Sequence, residues 1–220
     1  KLINYNNEEE IWYFISCCQK LSENFIEEYK DNVNWEKITI HQNLSLEFIR
    51  NHTNWYNNQC WENISWYQKL DENFLREFDN YIDYEGISER QIITEKYIED
   101  YLEYIYLDKI TSRHIPYHSD FDISIIPEQP KLSEKLIREN KNYVNWNGIS
   151  IFQNLSENFI EEFKDKVDWR EIFNNNKIIF TKKFLIKYLR RTYIENKIRK
   201  IKKFYIIKIG DIGTIINSFL

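Results

Sequence analysis

The strongest constraint on this chain is that it repeats itself. Leu21 to Trp35 reads LSENFIEEYKDNVNW, and Leu155 to Trp169 reads LSENFIEEFKDKVDW. Aligned on tryptophan, the recurring unit is W-x-x-I-S-x-x-Q-x-L-S-x-x-F-I, followed by a short polar stretch and V-x before the next tryptophan. The period is about 23 residues, as between Trp12 and Trp35. Units of that size bury a continuous core only when neighbours stack, so such a chain offers a long surface more readily than one deep pocket.

Each unit reads as two short helices. Ser22 is a good N-cap, since its hydroxyl can accept a bond from an orphan backbone N–H. Leu21 before that cap and Ile26 after it have the spacing of a hydrophobic staple, repeated at Leu44/Ile49, Leu70/Leu75, Leu132/Ile137 and Leu155/Ile160. Phe25, Ile26 and Tyr29 form an apolar stripe at helical spacing. The second helix starts after Asn34, with Val33 and Ile38 as its staple, and Val144/Ile149 and Val167/Ile172 repeat this arrangement. Trp35, Ile38 and Gln42 fall on one expected face. The glutamine recurs at 19, 42, 68, 91 and 153. A buried amide there can satisfy backbone groups where helices meet; an exposed ladder of amides facing a ligand is the other reading.

Composition narrows the class. Hydrophobic residues make up 42% and aromatics 17%, too apolar for disorder, while only 4 glycines and 3 prolines argue against a turn-rich β fold. No apolar run approaches the length needed to span a bilayer, and the opening KLINYNNEEE lacks the apolar core of a secretory leader. Cys17, Cys18 and Cys60 are odd in number and two are adjacent, so no disulfide framework is expected and a reducing, cytoplasmic setting is.

The pattern breaks in three places. Trp35 to Trp61 spans 26 residues, and the surplus is expected in NHTNWYNNQC, Asn51–Cys60. That leaves Trp55 and Tyr56 without a core slot, either as exposed contacts for a protein partner or folded back into a local gap. Residues 108–130 hold all three prolines and read as an irregular loop or degenerate unit. Residues 177–208 carry 12 Lys or Arg against one acid, whereas residues 1–176 carry 18 basic and 33 acidic residues. The expected segments are therefore helical repeats over 1–107 and 131–176, the loop 108–130, and a basic helical cap with an apolar tail over 177–220.

Catalytic signatures are lacking: there is no Gly-rich phosphate loop, H-E-x-x-H, C-x-x-C or G-x-S-x-G. His114, His118, Asp120 and Asp122 have the chemistry of a metal or acid–base site, but Pro116 keeps the histidines off a shared helix face. The expectation is a non-enzymatic protein with no catalytic, cofactor or metal residues. The basic segment is the main charged feature. Lys182, Lys183, Lys187, Arg190, Arg191, Lys197, Arg199, Lys200, Lys202 and Lys203, with Tyr188, Tyr193 and Tyr205 interleaved, have the composition of a nucleic-acid or anionic-surface contact. The alternative readings are a solvated helix face or a counter-charge for the acidic body of the same or another copy.

The unit W-x-x-I-S-x-x-Q-x-L-S-x-x-F-I resembles a short repeat of giant DNA viruses of the mimivirus type, over roughly residues 11–107 and 131–175. The Asn/Ile/Lys/Tyr-rich composition is similar to theirs. The resemblance carries no catalytic residues; it implies an interaction or structural role in an infected cell or a virion. The expected fold is all-α, a solenoid-like stack of short helix pairs. The expected partner is another protein or a second copy, with nucleic acid as the alternative.

Overall fold

The computed structural model describes residues 8–112 and 130–189. Among them the chain is all-α, with no strand. Two compact units are distinguished. One comprises the residues up to Asn154 together with Asp165–Asn175; the other comprises Leu155–Lys164 and the residues from Asn176 onward.

In the first unit, six-residue helices alternate with a second kind of five to eleven residues. The short ones are α2 (Glu23–Glu28), α4 (Leu46–Asn51), α6 (Glu72–Glu77), α8 (Glu95–Asp100) and α10 (Glu134–Glu139). Each is capped by a side-chain oxygen of Ser22, Ser45, Asp71, Thr94 or Ser133, which accepts the N–H three residues on. The second kind comprises α1 (Glu8–Cys18), α3 (Trp35–His41), α5 (Asn58–Tyr67), α7 (Tyr84–Arg90), α9 (Leu107–Thr111), α11 (Trp146–Phe152) and α13 (Trp169–Asn174). Each of these packs on the next in that order. Asn34, Asp83, Asn145 and Asp168 cap α3, α7, α11 and α13.

The core is a row of isoleucines rather than tryptophans. Ile38, Ile64, Ile87, Ile149 and Ile172 are fully buried, as are Ile26, Ile49, Leu75, Ile98 and Ile137 from the short helices. Each contributes about 1.5–3 kcal/mol of burial. The tryptophans lie at the margin, Trp61 excepted. Trp35 and Trp146 donate their indole N–H to the carbonyls of Lys30 and Lys141, five residues back, and so cover the preceding turn.

Two polar slots join successive units. The hydroxyls of Ser16, Thr39, Ser65, Ser88, Thr111 and Ser150 each turn to the carbonyl four residues back, as Ser65 does to Trp61 at 2.9 Å. The same oxygen accepts the N–H of the next unit's cap. Ser16 accepts Asn34, Ser65 accepts Asp83, Ser88 accepts Tyr106, Thr111 accepts Asn145 and Ser150 accepts Asp168. The glutamines sit not on a helix face, as the spacing predicts, but at the C-cap, with extended backbone. From there Gln68 accepts the Leu44 N–H at 3.0 Å and donates to the carbonyls of Thr39 and Gln42, each at 2.8 Å. Gln42 and Gln91 repeat all three bonds one unit before and one unit after. Gln153 binds Leu132 N–H and Pro130 carbonyl, and Asn175 takes over the two donor bonds to Ser150 and Gln153. The structural reading of the glutamines is the one seen at 42, 68, 91 and 153, whereas Gln19 is exposed.

The surplus residues lie within the stretches that the spacing marks, Asn51–Cys60 and 108–130. Asn57 is the N-cap of α5, accepting the Cys60 N–H at 2.8 Å. Tyr56 lies in the slot of Val33, buried. The three surplus residues, Asn58–Cys60, therefore stand inside α5, lengthening it by nearly one turn ahead of Trp61. The Thr39 hydroxyl then receives the side-chain amide of Asn63 instead of a backbone N–H. At the next break, α9 carries the pattern past residue 107 to Thr111. The Thr111–Asn145 bond spans 34 residues where Ser65–Asp83 spans 18. The surplus of 16 thus enters between Thr111 and Pro130 while the bonding register continues on both sides. Gly148 is required there: a Cβ on it would lie 1.6 Å from the Thr111 carbonyl oxygen, so α11 can approach α9 this closely only without one.

The second unit, described by itself, holds α12 (Glu157–Glu162) and α14 (Lys182–Leu189). Phe159 and Ile160 are fully buried, and Phe163, Ile178, Phe184, Leu185 and Tyr188 are buried around them. Thr181 accepts the Phe184 N–H as Ser156 accepts that of Phe159. So α14 carries the same hydroxyl cap and adjacent pair of buried apolar side chains as α12.

Candidate protein-interaction surface

Most of the recurring polar side chains are engaged internally. Besides the Gln and Ser/Thr slots, the first glutamate of a short helix reaches the next cap: Glu23 accepts Ser45 N–H at 2.6 Å, Glu72 accepts Thr94 N–H at 2.5 Å, and Glu95 accepts Ser133 N–H at 2.9 Å. Within the second unit Glu157 does the same for Thr181. This glutamate recurs directly after the cap residue, as in S-E-N-F at Ser22–Phe25, but the sequence carries no signal of its reach. Ion pairs run the same way, with Arg50 on Glu77 at 2.7 Å and Arg76 on Asp100 at 2.9 Å.

What recurs outward is aromatic. Trp55 lies against Trp35 with ring centroids 4.9 Å apart, Tyr81 against Trp61 at 5.1 Å, and Tyr104 against Tyr84 at 5.1 Å. In each pair the two residues are 20 apart in sequence. The outer member occupies the position just before the Val/Ile slot, where Tyr143 also stands. Tyr81, Tyr104 and Tyr143 are 59%, 51% and 71% exposed. Trp55 is half-buried, stacked 3.9 Å from His52, with the Lys30 ammonium 5.4 Å above it. Of the two aromatics expected as contacts, Trp55 joins this stripe. Tyr56 does not: burial removes its face from the surface and raises its hydroxyl pKa. The sequence reading missed Tyr81, Tyr104 and Tyr143, although their shared position before Ile82, Ile105 and Val144 was the available signal.

Around Tyr84, Tyr104 and Tyr106 the surface forms an open groove of about 470 Å3, edged by Asp83, Glu85 and Glu103. Burial and the neighbouring Tyr101, Asp79 and Tyr104 push the Tyr84 hydroxyl up to about 12. A hydrogen bond to Glu103 and its charge raise that of Tyr104. Both phenols are thereby held neutral beside the Glu103 carboxylate.

Lys182 and Lys183 are exposed, and Lys187 pairs with Glu161 within the second unit. Arg190, Arg191, Lys197, Arg199, Lys200, Lys202 and Lys203 lie outside the described residues, as do His114, His118, Asp120 and Asp122. Among the described residues no group of three His, Cys, Asp or Glu side chains is placed to hold a metal. Burial raises the pKa of Cys17, with the neighbouring Cys18 3.0 Å away adding to it, and burial raises that of Cys60 too; both thiols are thereby held protonated rather than activated. Among the described residues no helix is long and apolar enough to cross a membrane.

The arrangement defines an all-α protein whose described surface carries a recurring aromatic slot. No known protein family, curated protein or solved structure matches the chain.

Proposed function

We propose that this is a non-enzymatic protein-binding scaffold, a solenoid-like stack of helical repeats that engages another protein through its outward aromatic slot. The observation that carries the reading is the ring pair repeated at Trp35/Trp55, Trp61/Tyr81 and Tyr84/Tyr104. Rigid, half-exposed tyrosine and tryptophan give large contact area at low entropic cost, which is why they concentrate at the energetic centres of interfaces. The polar groups that catalysis would need are, in the repeated slots, committed to joining one unit to the next. The resemblance to giant-virus repeats adds a setting to this proposal, the cytoplasm of an infected cell or a virion.

The test is capture from the source cell with tagged chain, in parallel with a Trp55→Ala/Tyr81→Ala/Tyr104→Ala variant whose helical circular dichroism matches the parent. A partner retained by the parent and lost by the variant is the expected result. A partner held equally by both would place the contact elsewhere.

A second reading rests on the charge asymmetry: 12 basic residues against one acid over 177–208, with Lys182 and Lys183 exposed. In that reading the segment binds nucleic acid or an anionic surface. An electrophoretic shift that weakens steeply with salt, and disappears when residues 182–203 are neutralised, is its signature.

A further inference from the structure

The groove at Tyr84, Tyr104 and Tyr106 has a chemistry that selects its occupant. Stacked tyrosine faces attract cations through their quadrupole, and carboxylates at the rim add directional charge pairing. Tyr104 and Tyr106 are 51% and 47% exposed, and Glu103 beside them is exposed too. The carboxylates of Asp83, Glu85 and Glu103 edge the groove, that of Asp83 already accepting the Trp66 indole N–H at 2.7 Å and the Gly86 N–H at 2.9 Å. Lys109 meets Glu85 at 3.3 Å and Glu89 at 3.5 Å, which offsets only part of that charge.

The molecule already shows these ingredients holding an arginine. The Arg76 guanidinium lies 5.1 Å over Tyr97 and 5.5 Å over Tyr101 while pairing with Asp100 at 2.9 Å. Two tyrosine faces and a carboxylate therefore suffice, in this fold, to seat a guanidinium. The complementary ligand is present in the chain's own sequence: R-R-T-Y-I-E-N-K-I-R-K-I-K-K, residues 190–203, with seven basic residues and one acid.

We propose that the tyrosine groove of one copy binds the basic segment 190–203 of a second copy, so that the protein self-associates head to tail. The inference rests on the reading of the outward aromatic slot as a docking surface, and it names the partner at one stretch of it. A groove and a segment that differ from one another make a heterologous contact, and such contacts propagate into rings or open chains rather than closing at a symmetric dimer. Because the attraction pairs exposed charges, it weakens as salt shortens the screening length from about 10 Å at 0.1 M toward about 3 Å at 1 M.

The test uses the full chain, nuclease-treated, in sedimentation velocity over a range of concentrations and salt. The parent is expected to form species larger than a dimer that dissociate at high salt. A groove variant, Glu103→Lys with Tyr104→Ala, keeps its basic segment but loses its receptor. A segment variant, Arg190→Glu, Arg191→Glu, Lys197→Glu and Arg199→Glu, keeps its groove but loses its ligand. Each alone is expected to be monomeric, and an equimolar mixture to give a one-to-one heterodimer and nothing larger, since only one intact groove and one intact segment remain. If either variant loses its helical circular dichroism, a free peptide of residues 190–203 added to the parent serves instead, with dissociation of the assembly expected.

A parent that stays monomeric at all concentrations overturns the proposal. So do assemblies that survive in either variant, assemblies that vanish with nuclease, a mixture that does not recombine, and assemblies indifferent to the peptide. A monomeric parent that still captures another protein through Trp55, Tyr81 and Tyr104 would sink self-association alone. Capture of nothing by a self-associating parent would sink the wider partner reading alone.

Discussion

At the scale of single residues, the polar slots set the specificity of the fold. Gln68 bridges three backbone groups of the preceding unit, and losing it would leave buried groups unpaired at about 1–3 kcal/mol each. Gln68→Glu removes the donor but keeps the volume, so its carboxylate would face the Thr39 and Gln42 carbonyls. Urea unfolding should show a loss of about 3 kcal/mol or more at pH 7, shrinking as the pH falls and the side chain regains a proton. Tyr97 presents the converse case. Its slot is phenylalanine at 25, 48, 74, 159 and 184, and its hydroxyl is buried with no hydrogen-bond partner among the described residues. Tyr97→Phe should raise stability by about 1 kcal/mol, read as a higher urea midpoint at unchanged slope. The recurring Ser, Gln and Phe were legible in the sequence as slots. The partner of each was not, because a hydrogen bond reaching 18 or 26 residues back leaves no local signature.

At the scale of elements, caps and staples located helix starts well because the capping bond is local. Ser22, Ser45, Asn34 and Asn145 all cap where their spacing predicts. The surplus before Trp61 lies within the expected stretch Asn51–Cys60, but its place there follows from the cap rather than from the tryptophan, and Tyr56 gains a core slot that the spacing does not give it. Asn57 holds the cap, and α5 absorbs the extra turn. Gly148 was silent in the sequence, as Gly86 was, and only helix proximity gives it a role. Gly148→Ala drives a methyl group into the Thr111 carbonyl, a backbone atom that cannot rotate away. Overpacking of this kind costs about 1–3 kcal/mol and sometimes more, so thermal melts should show a clear loss. The cap-destroying Asn145→Ala should cost less, about 1 kcal/mol.

At the scale of the whole molecule, alkaline pH is the informative stress. Burial is the main cause raising the phenol pKa of Tyr56, Tyr84 and Tyr97, that of Tyr84 to about 12. In the unfolded chain tyrosines ionise near about 10. A raised folded value means the fold prefers the neutral phenol, so this stabilisation is complete below about pH 10 and is lost as pH rises through the folded values. Lys96 and Lys109, raised by their carboxylate partners, fade with the same sign in the same direction. The melting temperature should therefore fall steeply from pH 10 to 12, and Tyr97→Phe should soften that fall, separating the phenols from the lysines. The chain's sequence alone determined that it would be helical, where the helices would start and which side chains would recur, because capping and apolar periodicity act over a few residues. Only the tertiary structure decided that isoleucine rather than tryptophan fills the core, that the glutamines knit one unit to its predecessor, and that Trp55, Tyr81 and Tyr104 share an outward slot. Those outcomes depend on which residues from distant stretches come within hydrogen-bond or van der Waals reach, and that distance exists only once the helices have packed.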